Sequence, residues 1–229
     1  MKNYIKQNTG LYNKIVGLRQ ILRVFYNTKT RSRFFWLLRD GDDRLSLDYP
    51  LSENSVVFDV GAYVGTFTDK IINKFNCNVY AFEPLKEYSD QLIIKYKDNP
   101  KVKIFNFGLL DEDAITYLSN IDGASSIFNR PEGTLDIEVK MKSFENFIKD
   151  NKIGKIDLLY MNIEGSEYQL LEQIIESSLI EKIEHLQVQF HNFVANSKEL
   201  RMRLRKKLEK THRCVFNFPF IWERWDKLQ

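Results

Sequence analysis

The chain has 229 residues, 43% of them hydrophobic and 28% charged, with a formal net charge of +3 at pH 7. That length suits one domain, or one domain with an appendage, and is enough to bury a core without disulfide staples. Cys77 and Cys214 have no CxxC partner, and His185, His191 and His212 show no zinc spacing. No run of about 18 apolar residues offers a membrane span.

Charges interrupt every apolar stretch before residue 34, which argues against a signal peptide and for a reduced, cytoplasmic protein. The charge is uneven. Residues 1–40 carry nine Lys/Arg against one acid, Asp40, and residues 198–213 carry eight against Glu199 and Glu209. Such blocks are either solvated helix faces or a surface for an anionic partner: a membrane, a nucleotide-linked sugar or nucleic acid.

Residues 1–50 read as an N-terminal helical and hairpin extension. Leu11, Ile15, Leu18, Leu22 and Phe25 recur at steps of four and three, which predicts an amphipathic helix that packs on the core or acts as a lid or membrane contact. Phe34–Leu38, Asp40-Gly41 and the alternation of Leu45, Leu47 and Tyr49 predict a hairpin leading into a sheet.

From Val56 strands and helices alternate: strand 56–60, helix 66–75, strand 78–82, helix 86–98, strand 102–107. An irregular insertion at about 109–142 follows, with short strands at 116–118 and 137–141. A helix capped by Ser143 comes next. Strand 156–163 is apolar nearly throughout, as expected when both faces are covered. Helix 167–177, strand 183–191, a basic helix 197–210 and two closing strands, 214–218 and 220–225, complete the chain. The pattern predicts an α/β fold with a doubly wound, Rossmann-like sheet that is mostly parallel with an antiparallel C-terminal strand.

Ligands of such sheets gather at the carboxyl ends of the strands. The first strand runs through Asp59 into Gly61-Ala62-Tyr63-Val64-Gly65-Thr66. The third and sixth positions from Gly61 are Tyr63 and Thr66, so the GxGxxG dinucleotide fingerprint fails, and Gly-Lys-Ser/Thr is absent as well. The second strand ends at Glu83, 24 residues after Asp59, where a carboxylate can accept from ribose hydroxyls, and Pro84 stops the strand behind it. The fourth strand ends in Asn162-Ile163-Glu164-Gly165, with Asn162 and Glu164 on one side. The fifth brings His191 to the same end, and its near-neutral pKa suits a general base. His185, at the opposite end, reads as structural.

Together Asp59-Val-Gly-Ala-Tyr-Val-Gly65, Phe82-Glu83-Pro84, Gly123-Ala-Ser-Ser126, Ile156-Asp-Leu-Leu159, Ile163-Glu-Gly-Ser-Glu167 and Gln189-Phe-His191 resemble the FkbM-type methyltransferases, from roughly Asp40 to Trp225. The resemblance implies that residues 51–229 form an S-adenosylmethionine (SAM)-dependent O-methyltransferase domain acting on a hydroxyl of a sugar or natural product, often in surface polysaccharide biosynthesis. It implies a cofactor loop of Asp59, Gly61, Ala62, Tyr63, Gly65 and Thr66. Glu83 and Pro84 would sit at the ribose, Gly108 at the next strand end, and Glu164 in the reaction crevice. Where the family often has Lys-x-Asp before Val-Glu-Gly, this chain has Tyr160 and Asn162. Loss of that Asp weakens a metal site, although metal dependence stays open, and it moves the base to His191. Asn162 would then touch the cofactor's methionine part or the acceptor, and Ser125 and Ser126 the substrate. The expected partner is a sugar or glycan precursor, nucleotide-linked or not, with peripheral membrane contact as an option. Nucleic acid is not expected, because the fourth strand lacks the Asn/Asp-Pro-Pro tip of amino-directed enzymes. A weakly active module serving assembly, and methylation of a non-sugar small molecule, are the alternatives.

Overall fold

The computed structural model describes residues 26–119 and 136–229. The 11–25 stripe and the Gly123–Ser126 block, with Ser125 and Ser126, lie outside the described residues.

Ten strands and six helices are described, in chain order α1 (Thr28–Leu38), β1 (Val56–Val60), α2 (Thr66–Phe75), β2 (Asn78–Phe82), α3 (Lys86–Tyr96), β3 (Val102–Phe105), β4 (Gly108–Leu110), β5 (Ala114–Ser119), β6 (Asp136–Ser143), α4 (Phe144–Asp150), β7 (Ile156–Met161), α5 (Glu167–Glu176), β8 (Ile183–Val188), α6 (Ser197–Leu208), β9 (His212–Phe218) and β10 (Trp222–Lys227). Seven strands form the main sheet in the order β3-β2-β1-β7-β8-β10-β9. β3, β2, β1, β7 and β8 pair in parallel, while β10 runs antiparallel to both β8 and β9. The predicted mostly parallel, doubly wound sheet with an antiparallel C-terminal strand is therefore observed. Its switch point is β1 and β7, which sit side by side.

The β7 run Ile156-Asp-Leu-Leu-Tyr-Met161 is apolar because helices cover both of its faces. On one face Val57, Val79, Ala81 and Leu158 pack against Phe67 and Ile71 of α2 and Leu92 and Tyr96 of α3. On the other, Phe58, Phe82, Leu159 and Leu186 meet Phe144 and Phe147 of α4, Leu170 and Ile174 of α5 and Leu204 of α6. α2 begins after Gly65, which holds the left-handed conformation (φ 78°), with Asp69 in its first turn and Lys74 in its last, both favoured by the helix dipole.

Several expectations are corrected. The predicted hairpin of residues 34–49 is instead helix α1, capped by Asn27 on the Thr30 N–H, followed by a 3₁₀ turn at Leu45–Leu47. Packing overrides the β propensity of its aromatics. Ser32 and Trp36, four apart, form the buried stripe, and Trp36 sits among Phe218, Ile221 and Trp222 while its indole N–H donates to Asp42. The strand foreseen at 102–107 ends at Phe105, and the insertion is more regular than foreseen. β4, β6 and β5 form a second, three-stranded sheet beside the main one. The strand foreseen at 183–191 ends at Val188, so His191 stands on the following loop. No helix among the described residues is long and apolar enough to cross a membrane.

Candidate active site

At the carboxyl ends of β1, β2 and β7 lies a cleft of about 750 Å³, counting its open mouth. The sheet supplies one wall through Gly61, Glu83, Asn162 and Glu164; the second sheet closes it from above with Leu118 and Met141. Tyr63, Pro84 and Gly108 also line it. Seven of the expected site residues thus come together, although they span more than a hundred positions of sequence.

Gly61 is needed where it stands. Its φ is 90°, and a Cβ there would lie 2.0 Å from the Asn162 carbonyl oxygen. The absence of a side chain lets the β1 and β7 tips touch. Glu83 is 5% exposed and accepts from the Tyr63 and Leu85 N–H groups, each at 2.9 Å. Burial pushes its carboxyl up to about 7, against the pull of those two hydrogen bonds. The carboxylate thus ties the β1 loop to the β2 end and keeps spare lone pairs towards the cleft.

The β7 tip is strained. Glu164 has φ 49° and Gly165 φ 108°, a turn that swings the Glu164 side chain into the cleft. Asn162 Oδ1 beside it is buried without a hydrogen-bond partner among the described residues. Behind Glu164 stands His191, 3% exposed. Its Nε2 lies 3.3 Å from Glu164 Oε2 and its Nδ1 2.5 Å from Glu167 Oε1. Glu167 is wholly buried and accepts the Gly165 N–H through Oε2, and the Tyr168 hydroxyl donates to the His191 carbonyl. Burial works against a charge on His191, but the hydrogen bonds and charges of Glu164 and Glu167 outweigh it and raise the imidazole to about 9. The two flanking carboxylates thus favour a proton on each ring nitrogen, while the Gln189 amide nitrogen lies 3.4 Å from Nε2. His191, expected as the base, does not line the cleft; Glu164 faces it, with His191 behind.

Four expected loop contacts do not line the cleft. Asp59 is 1% exposed, points into the α2 side and accepts the Thr68 hydroxyl at 2.6 Å; burial pushes it up to about 6. Ala62 packs with Phe67 and Ile71, and Gly65 lies under Tyr96, whose hydroxyl bonds its carbonyl. Thr66 opens α2 and does not line the cleft. His185 pairs with Asp226 at 2.8 Å, far from the cleft. The sequence did not flag Tyr88, whose ring meets that of Tyr63 edge-on at 4.5 Å, nor Leu118 and Met141. Tyr88 lies one turn beyond Pro84, a spacing that could have revealed it; the other two depend on the unforeseen second sheet.

The model of the methyltransferase FkbM domain matches residues 59–217. The chain belongs to the FkbM methyltransferase family. As a member it is a methyltransferase, and SAM is its cofactor. Solved structures agree on the fold. The methyltransferase FkbM of Methylobacillus flagellatus superposes with a TM-score of 0.53 at 14% identity, over 79% of this chain and 45% of that one. A candidate methyltransferase of Streptococcus mutans in complex with SAH gives 0.51 at 14%, over 83% and 97%. A candidate rRNA methylase of Clostridium thermocellum gives 0.53 at 13%, over 84% and 96%. This chain thus spans less than half of the Methylobacillus protein. No curated protein matches it.

Proposed function

We propose that this FkbM-family member transfers a methyl group from SAM to a hydroxyl of a sugar, in the assembly of a surface polysaccharide or other glycan. The observation that carries the reading is Glu164, held in the cleft by a strained turn and backed by the Glu167–His191 pair. The sugar as acceptor rests on the family resemblance of the sequence.

The residues present fit the cofactor. The orphaned Asn162 Oδ1 is an acceptor awaiting a donor such as the ammonium of a methionine moiety, and a buried carbonyl oxygen without a partner is costly otherwise. Glu83 would accept from the ribose hydroxyls, and Tyr63, Tyr88 and Met141 offer apolar surface to the base. When bound, SAM supplies an activated methyl group on a sulfonium. The protein's share is alignment and proton removal. Glu164 would accept the hydroxyl proton as the C–O bond forms and the methyl group's bond to sulfur breaks, leaving a neutral thioether. His191, kept cationic by Glu167, holds the Glu164 carboxylate in place. Leu109, Leu118 and Met141 keep water from the apolar side of the cleft.

Calorimetric titration with SAM, followed by mass spectrometry of nucleotide sugars and surface glycans incubated with the chain, tests this reading. SAH release with a gain of one CH₂ on a sugar oxygen is expected. Failure to bind SAM, or methylation of nitrogen or of nucleic acid alone, overturns it.

A further inference from the structure

The outer face of α1 carries large apolar side chains. Its inner stripe, Ser32 and Trp36, anchors the helix on β9 and β10. On the opposite side Phe34, Leu37 and Leu38 are 45%, 59% and 65% exposed, and Tyr26, just before the helix, is 85% exposed. At 100° per residue Phe34, Leu37 and Leu38 form one strip, with exposed Arg31 and Arg33 on its two flanks. Arg39 follows at the helix end, its guanidinium over the Phe218 ring.

Three large apolar side chains side by side on one exposed helix are expensive to leave in water unless they serve contact. The charge decides what they contact. Residues 1–39 contain nine Lys/Arg and no acid. The first carboxylates, Asp40, Asp42 and Asp43, lie past the helix, Asp42 accepting the Trp36 indole N–H and Asp43 pairing with Lys70. A second protein or a second copy would bring its own mixed charges; a strip of Phe and Leu edged by arginines fits an anionic lipid surface. There apolar groups enter the acyl boundary and guanidinium groups meet phosphates. We propose that α1 docks the protein on an anionic membrane, lying in the interface with Phe34, Leu37 and Leu38 inserted. None of the strip's residues lines the cleft, so this proposal and the methyl-transfer reading stand or fall separately.

Vesicle flotation of the full chain tests it, with phosphatidylcholine vesicles carrying about 30% phosphatidylglycerol compared with phosphatidylcholine alone. The wild type should float with the anionic vesicles and be released by salt as screening shortens the reach of the charges. Two variants, Phe34→Ser/Leu37→Ser/Leu38→Ser and Arg31→Glu/Arg33→Glu, should each weaken binding at least about tenfold. Circular dichroism and calorimetric SAM titration should match the wild type, since every substituted side chain is exposed. Equal flotation with neutral vesicles, or unchanged binding by both variants, overturns the proposal. So does a triple-Ser variant that loses thermal stability or dimerisation but not vesicle binding, which would assign the strip to residues 1–25 or to a second copy.

Discussion

His191 Nδ1 lies 2.5 Å from Glu167 Oε1, in a place where both side chains are nearly withdrawn from water. The pair comes from two elements, α5 and the loop after β8, and fixes the imidazole edge that faces Glu164. A buried cation between two carboxylates is a rigid backing for whatever Glu164 does in the cleft.

Glu167→Gln keeps the volume but removes the charge that holds His191 protonated. Turnover should fall at least about tenfold and its pH optimum should move down, because the imidazole loses a proton more easily. SAM affinity should not change. Glu164→Ala should cost more, about 10²–10⁴-fold in kcat, again with SAM affinity kept. Steady-state kinetics across pH, with calorimetry alongside, separates the two.

The same charge couple predicts stability against pH. His191 has a folded-state pKa near 9, above the 6.5 of a free imidazole. Its contribution is therefore fully present below about pH 6.5 and is lost as pH rises through 9. The shift is worth on the order of 3 kcal/mol at most. Urea denaturation at pH 7 and pH 9.5 should show that loss in the wild type and little of it in His191→Gln. An equal loss in both would assign the pH dependence to other groups.

Glu83 titrates near 7 in the folded protein because burial disfavours its charge. A ribose donates to the carboxylate better than to the acid, so SAM affinity should rise between pH 6 and pH 8 and level off above. Glu83→Gln should flatten the profile and weaken binding roughly tenfold, the scale of one hydrogen bond to a charged group. Isothermal titration across this range checks both.

Gly61→Ala should abolish cofactor binding and lower the melting temperature. The new Cβ would meet the Asn162 carbonyl at 2.0 Å with φ at 90°, and backbone cannot step aside as a side chain end can. A loss of at least about 2 kcal/mol is expected. Asn162→Ala should behave oppositely: it deletes a buried acceptor without a partner, so stability is kept or gained while SAM affinity falls about tenfold. Thermal melts and SAM titrations of the two variants form the comparison.

The sequence by itself determined the main sheet, its helices and the position of the cleft. Those follow from local signals: apolar runs of strand length, glycines at forced turns, and acids at strand ends, as at Gly61, Glu83 and Glu164. The helical α1 was not legible, since Phe34–Leu38 carries strand propensity and becomes a helix only because Trp36 has Phe218 and Trp222, nearly two hundred residues away, to pack on. The second sheet that roofs the cleft was not legible either, because β6 joins a parallel neighbour, β4, to an antiparallel one, β5, across the insertion. Only the tertiary structure decided which way the site residues face and what they touch. Asp59 looked like a ligand and is buried against Thr68. His191 looked like a base and stands between Glu167 and Glu164, which reach it from another element and whose charges, outweighing the cost of burial, raise its imidazole to about 9. A residue type announces what it can do; its protonation and its facing depend on neighbours that the chain brings up only by folding.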